Sequence, residues 1–588
     1  MSIPDQLGMM PLLINSLRIN IVTSFMISIV ATTIASLLYL SPVRARVHTD
    51  HMLSTLESVA HVFKTSYAPL SWKKEFSNWD VDQKMSLAKE SVRQKPNMSI
   101  KEFHNVLKDF FNSTNDYHVS AHFVSTEKAK LHFSLKHSEG RFFISYINKN
   151  LLSHHSFPFS IGDELTLWNG KPVSVILAAL LPKEELNSKL TDHALATIEL
   201  TSRLGSKGQK IPRGSVLLNI RKKGSSKSTL TQVPWDYFPE KINIKSKFFP
   251  AFADKSLRSL NKSLSFHSTF AMDLAEEAKI EDTANRFSMG ARISHVPQLG
   301  KALWKSKPTN PFYSYTFQTA DEKKIGFLRI PSYSADAKES TLFQEIIKRM
   351  QDETDALVID QVNNPGGSVF YLYSLVSMLT DTAMSTPRHQ ISINAIDAMD
   401  AISTLEVLNQ VKNDTHAKKI FGETIGGYPV SAHFSNTAKN YYQFILSEFN
   451  RGAILTEPHH LYGVDYILPH PDEKARYTKP IIILINELDF SGGDFFPAIM
   501  QDNKRATIFG TRTSGAGGYV KELSIPNHLG LKNFSITGSI AMRLDGRPIE
   551  NMGVTPDIHY SLQPEDYQNN MLGYKEKILS SLKVILEK

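Results

Sequence analysis

Cysteine is absent from all 588 residues. Its absence excludes disulfides, thiol catalysis and cysteine-ligated zinc, and leaves no thiol to misoxidise during export. Phosphate-binding glycine loops of the P-loop type are also missing, as are zinc-finger spacings and dense basic runs. A net charge of +8 is modest for this length, so neither nucleotide nor nucleic acid is an expected partner. The 21 histidines include the pairs His154-His155 and His459-His460 but no H-E-x-x-H. Isolated pairs of this kind are usually surface or loop residues, so no metal and no other cofactor is expected. Long uncharged runs are scarce, with one exception. From Ile19 to Val43 no residue is charged; within it Ile21 to Leu40 is mostly apolar, Arg18 stands before it, and Pro42-Val43-Arg44-Ala45 comes after Leu40. This pattern predicts export through residues 1–46, either as a signal cleaved after Ala45 or as a retained anchor. The expected location is therefore secreted, periplasmic or cell-envelope.

What the chain does contain is an ordinary globular composition, 41% hydrophobic and 21% charged, in an α/β pattern within a multidomain α+β whole. Residues 47–130 read as a helical region. Ser99 with Glu102 predicts a capping box, and Phe103, Val106, Leu107, Phe110 and Phe111 form one stripe behind it. The turn Asn112–Asp116 follows, then Tyr117-His118-Val119. Residues 131–240 alternate like short strands. Within them Ile161-Gly-Asp-Glu-Leu-Thr-Leu-Trp-Asn-Gly-Lys-Pro-Val173 resembles a PDZ signature, or is simply a hairpin with an Asn-Gly turn. Residues 241–310 carry little periodicity and read as a connecting segment. Residues 311–588 hold strands at Ile325–Ile330, Ala356–Gln361 and Arg505–Gly510, helices at Thr341–Glu353 and Val369–Leu379, and a last helix from about Tyr574.

One junction concentrates chemical meaning. Ile481–Ile485 reads as a buried strand, Asn486–Asp489 as a turn, and Ser491-Gly492-Gly493 opens an apolar helix. A serine there presents its hydroxyl where the first N–H groups of a helix lack intrahelical partners. Those donors suit an oxyanion hole. An N-cap serine before tight-turn glycines explains the same residues, and this segment alone leaves both readings open.

Four pieces in order resemble the tail-specific, C-terminal processing serine peptidases. They are Ala356-Leu-Val-Ile-Asp-Gln-Val-Asn-Asn-Pro-Gly-Gly367, the Ser491 junction, Asp502–Gly510 with the glycine loop after it, and Gly553-Val-Thr-Pro-Asp557. The resemblance implies a catalytic domain of the ClpP/crotonase-like type with a PDZ-like domain and an N-terminal helical region. Many members carry a lysine base in the loop that here reads Ser514-Gly515-Ala516-Gly517. Alanine stands in its place, and Lys504 and Lys521 lie off the motif. The branch that uses Ser, His and Glu fits better: Asp116-Tyr-His118 and Glu550-Asn-Met-Gly-Val-Thr-Pro match its motifs.

The resemblance therefore implies an endopeptidase in which Ser491 attacks, His118 takes and returns the proton, and Glu550 orients the imidazole. It implies an oxyanion hole from the N–H of Gly492 and one from Gly366 or Gly367. Asp116 is expected to be a turn residue, and His122 is the rival base. The expected partners are protein or peptide substrates; a homodimer is left open, and membrane contact is confined to an uncleaved N-terminal segment. The resemblance also implies a precursor whose 241–310 region blocks the site until self-cleavage.

Overall fold

A computed structural model describes residues 48–182, 187–241, the backbone of Ser265–His267, and 285–587. The expected signal or anchor over 1–46 lies outside the described residues, as does most of 242–284. No helix among the described residues is long and apolar enough to cross a membrane.

The C-terminal half is organised by a seven-stranded sheet. Its spatial order is Ala302–Lys305, Ser314–Gln318, Lys324–Arg329, Ala356–Asp360, Ile481–Ile485, Thr507–Gly510 and Ile558–His559. The first three pair antiparallel and the rest parallel. Ala356–Asp360 and Ile481–Ile485 are buried at every position. Layers on both faces of a parallel sheet leave no polar side for a strand to show, which explains these uninterrupted apolar runs. One face packs on helices Ala337–Glu353, Val369–Ser377 and Gly492–Asp502, the other on the C-terminal helix Leu572–Leu586. The sheet reaches further back than residue 311. Ala302–Lys305 forms its edge strand, so the end of the expected connecting segment belongs to the core of the C-terminal half.

The N-terminal region is helical over 48–66, Leu70–Ser77, Val81–Arg93 and Ile100–Asn112. Ser99 and Glu102 form the predicted capping box on the last of these. The layer is not separate from the C-terminal half. Strand Ser120–Phe123 pairs antiparallel with Leu531–Thr537, and Phe103, Leu107 and Phe111 share one buried cluster with Leu531, Phe534 and Ile536. Between these parts lies a sheet of Phe133–Ser138, Arg141–Ile147, Glu164–Trp168, Ser215–Arg221 and Ser228–Pro234. Lys171–Pro172 pairs with Glu164–Trp168 around the Asn169-Gly170 turn. Helix Lys189–Thr201 covers this sheet's apolar face through Ala196 and Leu200; its weak apolar periodicity did not announce it in the sequence.

Candidate active site

Ser491 ends the turn after Ile481–Ile485 and caps helix Gly492–Asp502, with φ 57° and ψ −110°. A non-glycine residue there carries roughly 1–3 kcal/mol of strain, so its surroundings must hold it. Phe490 N–H donates to the Asn364 carbonyl (2.9 Å), and the Ser491 carbonyl accepts from the N–H groups of Asp494 (2.7 Å) and Phe495 (2.8 Å). Ser491 N–H donates to the Asp494 carboxylate at 2.9 Å. The hydroxyl itself is fully buried and makes no hydrogen bond among the described residues. A plain N-cap serine would spend that oxygen on a backbone N–H; this one leaves it uncommitted.

Asp494 is a site residue that the motif reading passed over. Besides Ser491 N–H it accepts from Thr513 Oγ1 (2.5 Å), Gly515 N–H (2.8 Å), Ala516 N–H (3.0 Å) and Ser514 Oγ (3.1 Å). One buried carboxylate thus ties the serine turn to the loop in which Ala516 replaces a lysine. Burial pushes its pKa up to about 6, against the pull of those donors. An acid three residues after a helix-capping serine is the sequence signal that marks it. Neither off-motif lysine is near: Lys504 is exposed beyond the far end of the helix, and Lys521 Nζ is held by Ser392 O (2.7 Å) and Asp397 (3.0 Å).

The Asn-Pro-Gly-Gly turn lies directly against the serine. A Cβ added to Gly366 would sit 2.8 Å from Ser491 Cβ and 2.9 Å from Gly492 N. A Cβ on Gly492 would sit 3.2 Å from Gly367 N. Close approach of three backbones is the reason for glycine here. Gly366 N–H is already taken by Asn364 Oδ1 at 2.9 Å. Gly367 is the other of the two expected donors beside Gly492. The helix also contains Pro497, which cannot donate to the Gly493 carbonyl one turn back; Gln361 Nε2 does so at 2.8 Å, and Tyr333 Oη fixes Gln361 Oε1 at 2.8 Å.

His118 and Glu550 arrive from opposite ends of the chain. His118 is buried, its N–H donates to Asp116 Oδ1 (2.8 Å), and its carbonyl accepts from Ser535 Oγ (2.6 Å). Asp116 is more than a turn residue: it is buried and also accepts from Tyr67 Oη (2.9 Å) and Thr537 Oγ1 (2.7 Å). The neighbour of His118, Tyr117, meets the neighbour of Ser491, Phe490, edge to face with ring centroids 5.6 Å apart. Glu550 is fully buried; Oε2 accepts from Gly517 N–H (3.1 Å) and Oε1 from Lys73 Nζ (2.5 Å). Burial and the nearby Asp116 raise its pKa to about 8, against the pull of Lys73. Lys73 bears no sequence signal; Lys74 beside it is exposed. His122 is different: it lies in the strand proper and its Nε2 faces Lys207 Nζ at 3.0 Å.

Another strand borders this site. Ser265–His267, within the expected blocking segment, runs antiparallel to Gly366–Ser368, with Phe266 opposite Gly367.

Comparison with known proteins accounts for this arrangement. Residues 324–560 match peptidase family S41, and residues 127–242 match a PDZ domain. The structure of mature CPAF superposes with a TM-score of 0.79 at 32% identity, covering 92% of this chain and 98% of that one. Mature CPAF complexed with lactacystin gives the same TM-score and identity over 92% and 99%. An uncharacterized protein of Chlamydia muridarum is 33% identical over 92% of this chain and 93% of its own. The chain belongs to peptidase family S41 and is a serine peptidase of the kind represented by CPAF.

Proposed function

We propose that the protein is an exported endopeptidase that works through Ser491, His118 and Glu550 and is made as a self-blocking precursor. The observation that carries the catalytic reading is the serine turn itself: a strained, buried Ser491 with an uncommitted hydroxyl, set among Gly366, Gly367 and Gly492. Ser491 Oγ attacks the scissile carbonyl while His118 removes its proton. The carbonyl oxygen becomes an oxyanion between the N–H groups of Gly492 and Gly367, an arrangement in which one donor is typically worth about 3 kcal/mol. His118 then protonates the leaving amine, and a water repeats the sequence on the acyl-enzyme. Glu550 holds the imidazole and offsets its charge.

The strand pairing of Ser265–His267 on Gly366–Ser368 supports the precursor reading. An extended substrate would add to that same edge by main-chain hydrogen bonds. A segment of the protein's own chain in that place competes at high effective concentration. Export rests on the uncharged run from Ile19 to Val43.

Time-resolved electrophoresis of purified wild type and Ser491→Ala, with a casein assay on the same samples, tests the reading. Wild type is expected to yield two fragments as casein hydrolysis rises; Ser491→Ala should stay whole and inactive. His118→Ala should match it, while His122→Ala keeps activity. Turnover by Ser491→Ala ends the catalytic claim, and full activity from an intact chain ends the precursor claim. N-terminal sequencing of protein recovered from cells reads whether the segment before Ala45 is removed, and recovery only from the cytoplasm would end the export claim.

A further inference from the structure

Lys73 is a buried charged residue of this neighbourhood that the reaction above does not use. It belongs to helix Leu70–Ser77, in the N-terminal layer, and its side chain has no exposure. An ammonium has three N–H donors. Here they reach Glu550 Oε1 (2.5 Å), Asn551 Oδ1 (2.7 Å) and the Asn115 carbonyl (2.8 Å). The first belongs to the proposed Glu550 itself, and the other two border proposed catalytic residues. Asn551 follows Glu550, and Asn115 precedes Asp116 and His118 by one and three positions. Asn551 closes the cluster: its Nδ2 donates to the Asn115 carbonyl (2.8 Å), and its Oδ1 also accepts from Trp72 Nε1 (3.1 Å).

A lone buried cation is costly, and so is a lone buried carboxylate. Replacing a buried ion pair with apolar groups is often neutral or stabilising, so stability alone gives weak grounds for one. The charges around Glu550 give this pair a different rationale. Asp116 is a second buried carboxylate close enough to oppose its ionisation. Asp116 has its own donors in Tyr67 Oη, Thr537 Oγ1 and His118 N–H. Gly517 N–H reaches the other oxygen of Glu550. Arg512, the remaining cation at this corner, turns to the carbonyls of Asn551 (2.8 Å) and Met552 (3.2 Å). Among the described residues, Lys73 is thus the cation bonded to the Glu550 carboxylate.

We propose that Lys73 is a positioning residue for the peptidase reaction: its ammonium orients the Glu550 carboxyl group and favours its ionised form, so that Glu550 can steady the His118 imidazolium. The proposal rests on the Ser491–His118–Glu550 reading and adds to it a dependence on the N-terminal helical layer. Lys73 touches neither substrate nor the reacting atoms. Without its charge, Glu550 would face Asp116 with only the Gly517 N–H in compensation and would keep its proton to higher pH.

The test compares pH profiles of kcat and KM for wild type, Lys73→Met, Glu550→Gln and the double variant, all as the full chain with Ser491 intact, on a soluble peptide substrate. Circular dichroism checks that each is folded. Lys73→Met is expected to lose about tenfold in kcat at pH 7 with KM within about twofold, and its acid limb should move up by about a unit. Activity should recover toward pH 9. In the Glu550→Gln background, Lys73→Met should change kcat by less than about twofold, because its target is gone. A folded Lys73→Met with the wild-type profile overturns the proposal. If Lys73→Met does not fold, the double variant against Glu550→Gln still decides: a further tenfold loss would mean that Lys73 acts independently of Glu550. Wild-type activity in Glu550→Gln ends the triad reading, whereas an impaired Glu550→Gln beside an unshifted Lys73→Met ends only this inference.

Discussion

At the scale of single residues, the site runs on buried carboxylates with different tasks. Asp494 braces the serine turn, Glu550 is the proposed partner of the His118 imidazole, and burial raises the pKa of both. Asp494 gives the cleaner experiment, because all its partners are donors. An asparagine there would turn an amide NH2 toward N–H and O–H groups and leave several unsatisfied, at about 1–3 kcal/mol for each buried group. The pH dependence has a definite sign. Asp494 titrates near 3.8 when unfolded and at about 6 in the fold. Between those values the folded state binds the extra proton, so stability from this group is full below pH 3.8 and is lost as pH rises through 6. The deficit of Asp494→Asn relative to wild type should therefore be widest near pH 4 and narrower at pH 7. Melting curves of both proteins across that range check it. A deficit that grows with pH would place the Asp494 pKa below its unfolded value.

At the scale of elements, two short turns rather than any helix or strand decide whether the site can form. Gly367 has φ 152°, and a Cβ there would lie 2.0 Å from the Tyr333 carbonyl carbon and 2.3 Å from Ser334 N. Both are backbone atoms, so no side chain can swing aside. Gly452 also has positive φ, 82°, but a Cβ there meets nothing within 4 Å. Gly452→Ala is expected to cost about 1–2 kcal/mol, the ordinary left-handed penalty, and to keep activity. Gly367→Ala should abolish turnover and lower the melting temperature by much more. Equal effects from the two substitutions would mean that the Tyr333 contact yields readily. Legibility divides along the same line. The Asn-Pro-Gly-Gly turn, the Ser-Gly-Gly turn and the buried strands before them follow local rules that a sequence displays. The backbone of Tyr333 against Gly367, Gln361 capping the carbonyl freed by Pro497, and Lys73 under Glu550 are contacts between distant segments. Lys73 and Lys74 are the same residue type side by side; only the packed helix separates a buried counter-ion from a solvated charge.

At the scale of the whole molecule, the site is divided between two halves of the chain that fold as one. His118, Asp116 and Lys73 lie before residue 242, and Ser491, Gly366, Gly367 and Glu550 after 284. The joint between the halves resembles a domain core. Strand Ser120–Phe123 hydrogen-bonds to Leu531–Thr537, and Met52, Leu56, Phe63, Phe103, Leu107 and Phe111 are buried in one cluster with Leu529, Leu531, Phe534 and Ile536. The ion pair of Lys73 with Glu550 and the bond from Asn551 to the Asn115 carbonyl cross the same joint. Edge strand Ala302–Lys305 stays with the C-terminal half, so a break before residue 285 leaves the seven-stranded sheet whole. An apolar interface of this kind does not depend on the covalent link for its stability; the link mainly raises effective concentration. The expectation is that wild type cut between residues 242 and 284 elutes from native size exclusion as one species containing both fragments, with activity in that peak, and that the fragments part only in denaturant. Fragments that separate in native buffer, with activity lost until they are remixed, would show that the two halves are held together by the chain and not by their shared core.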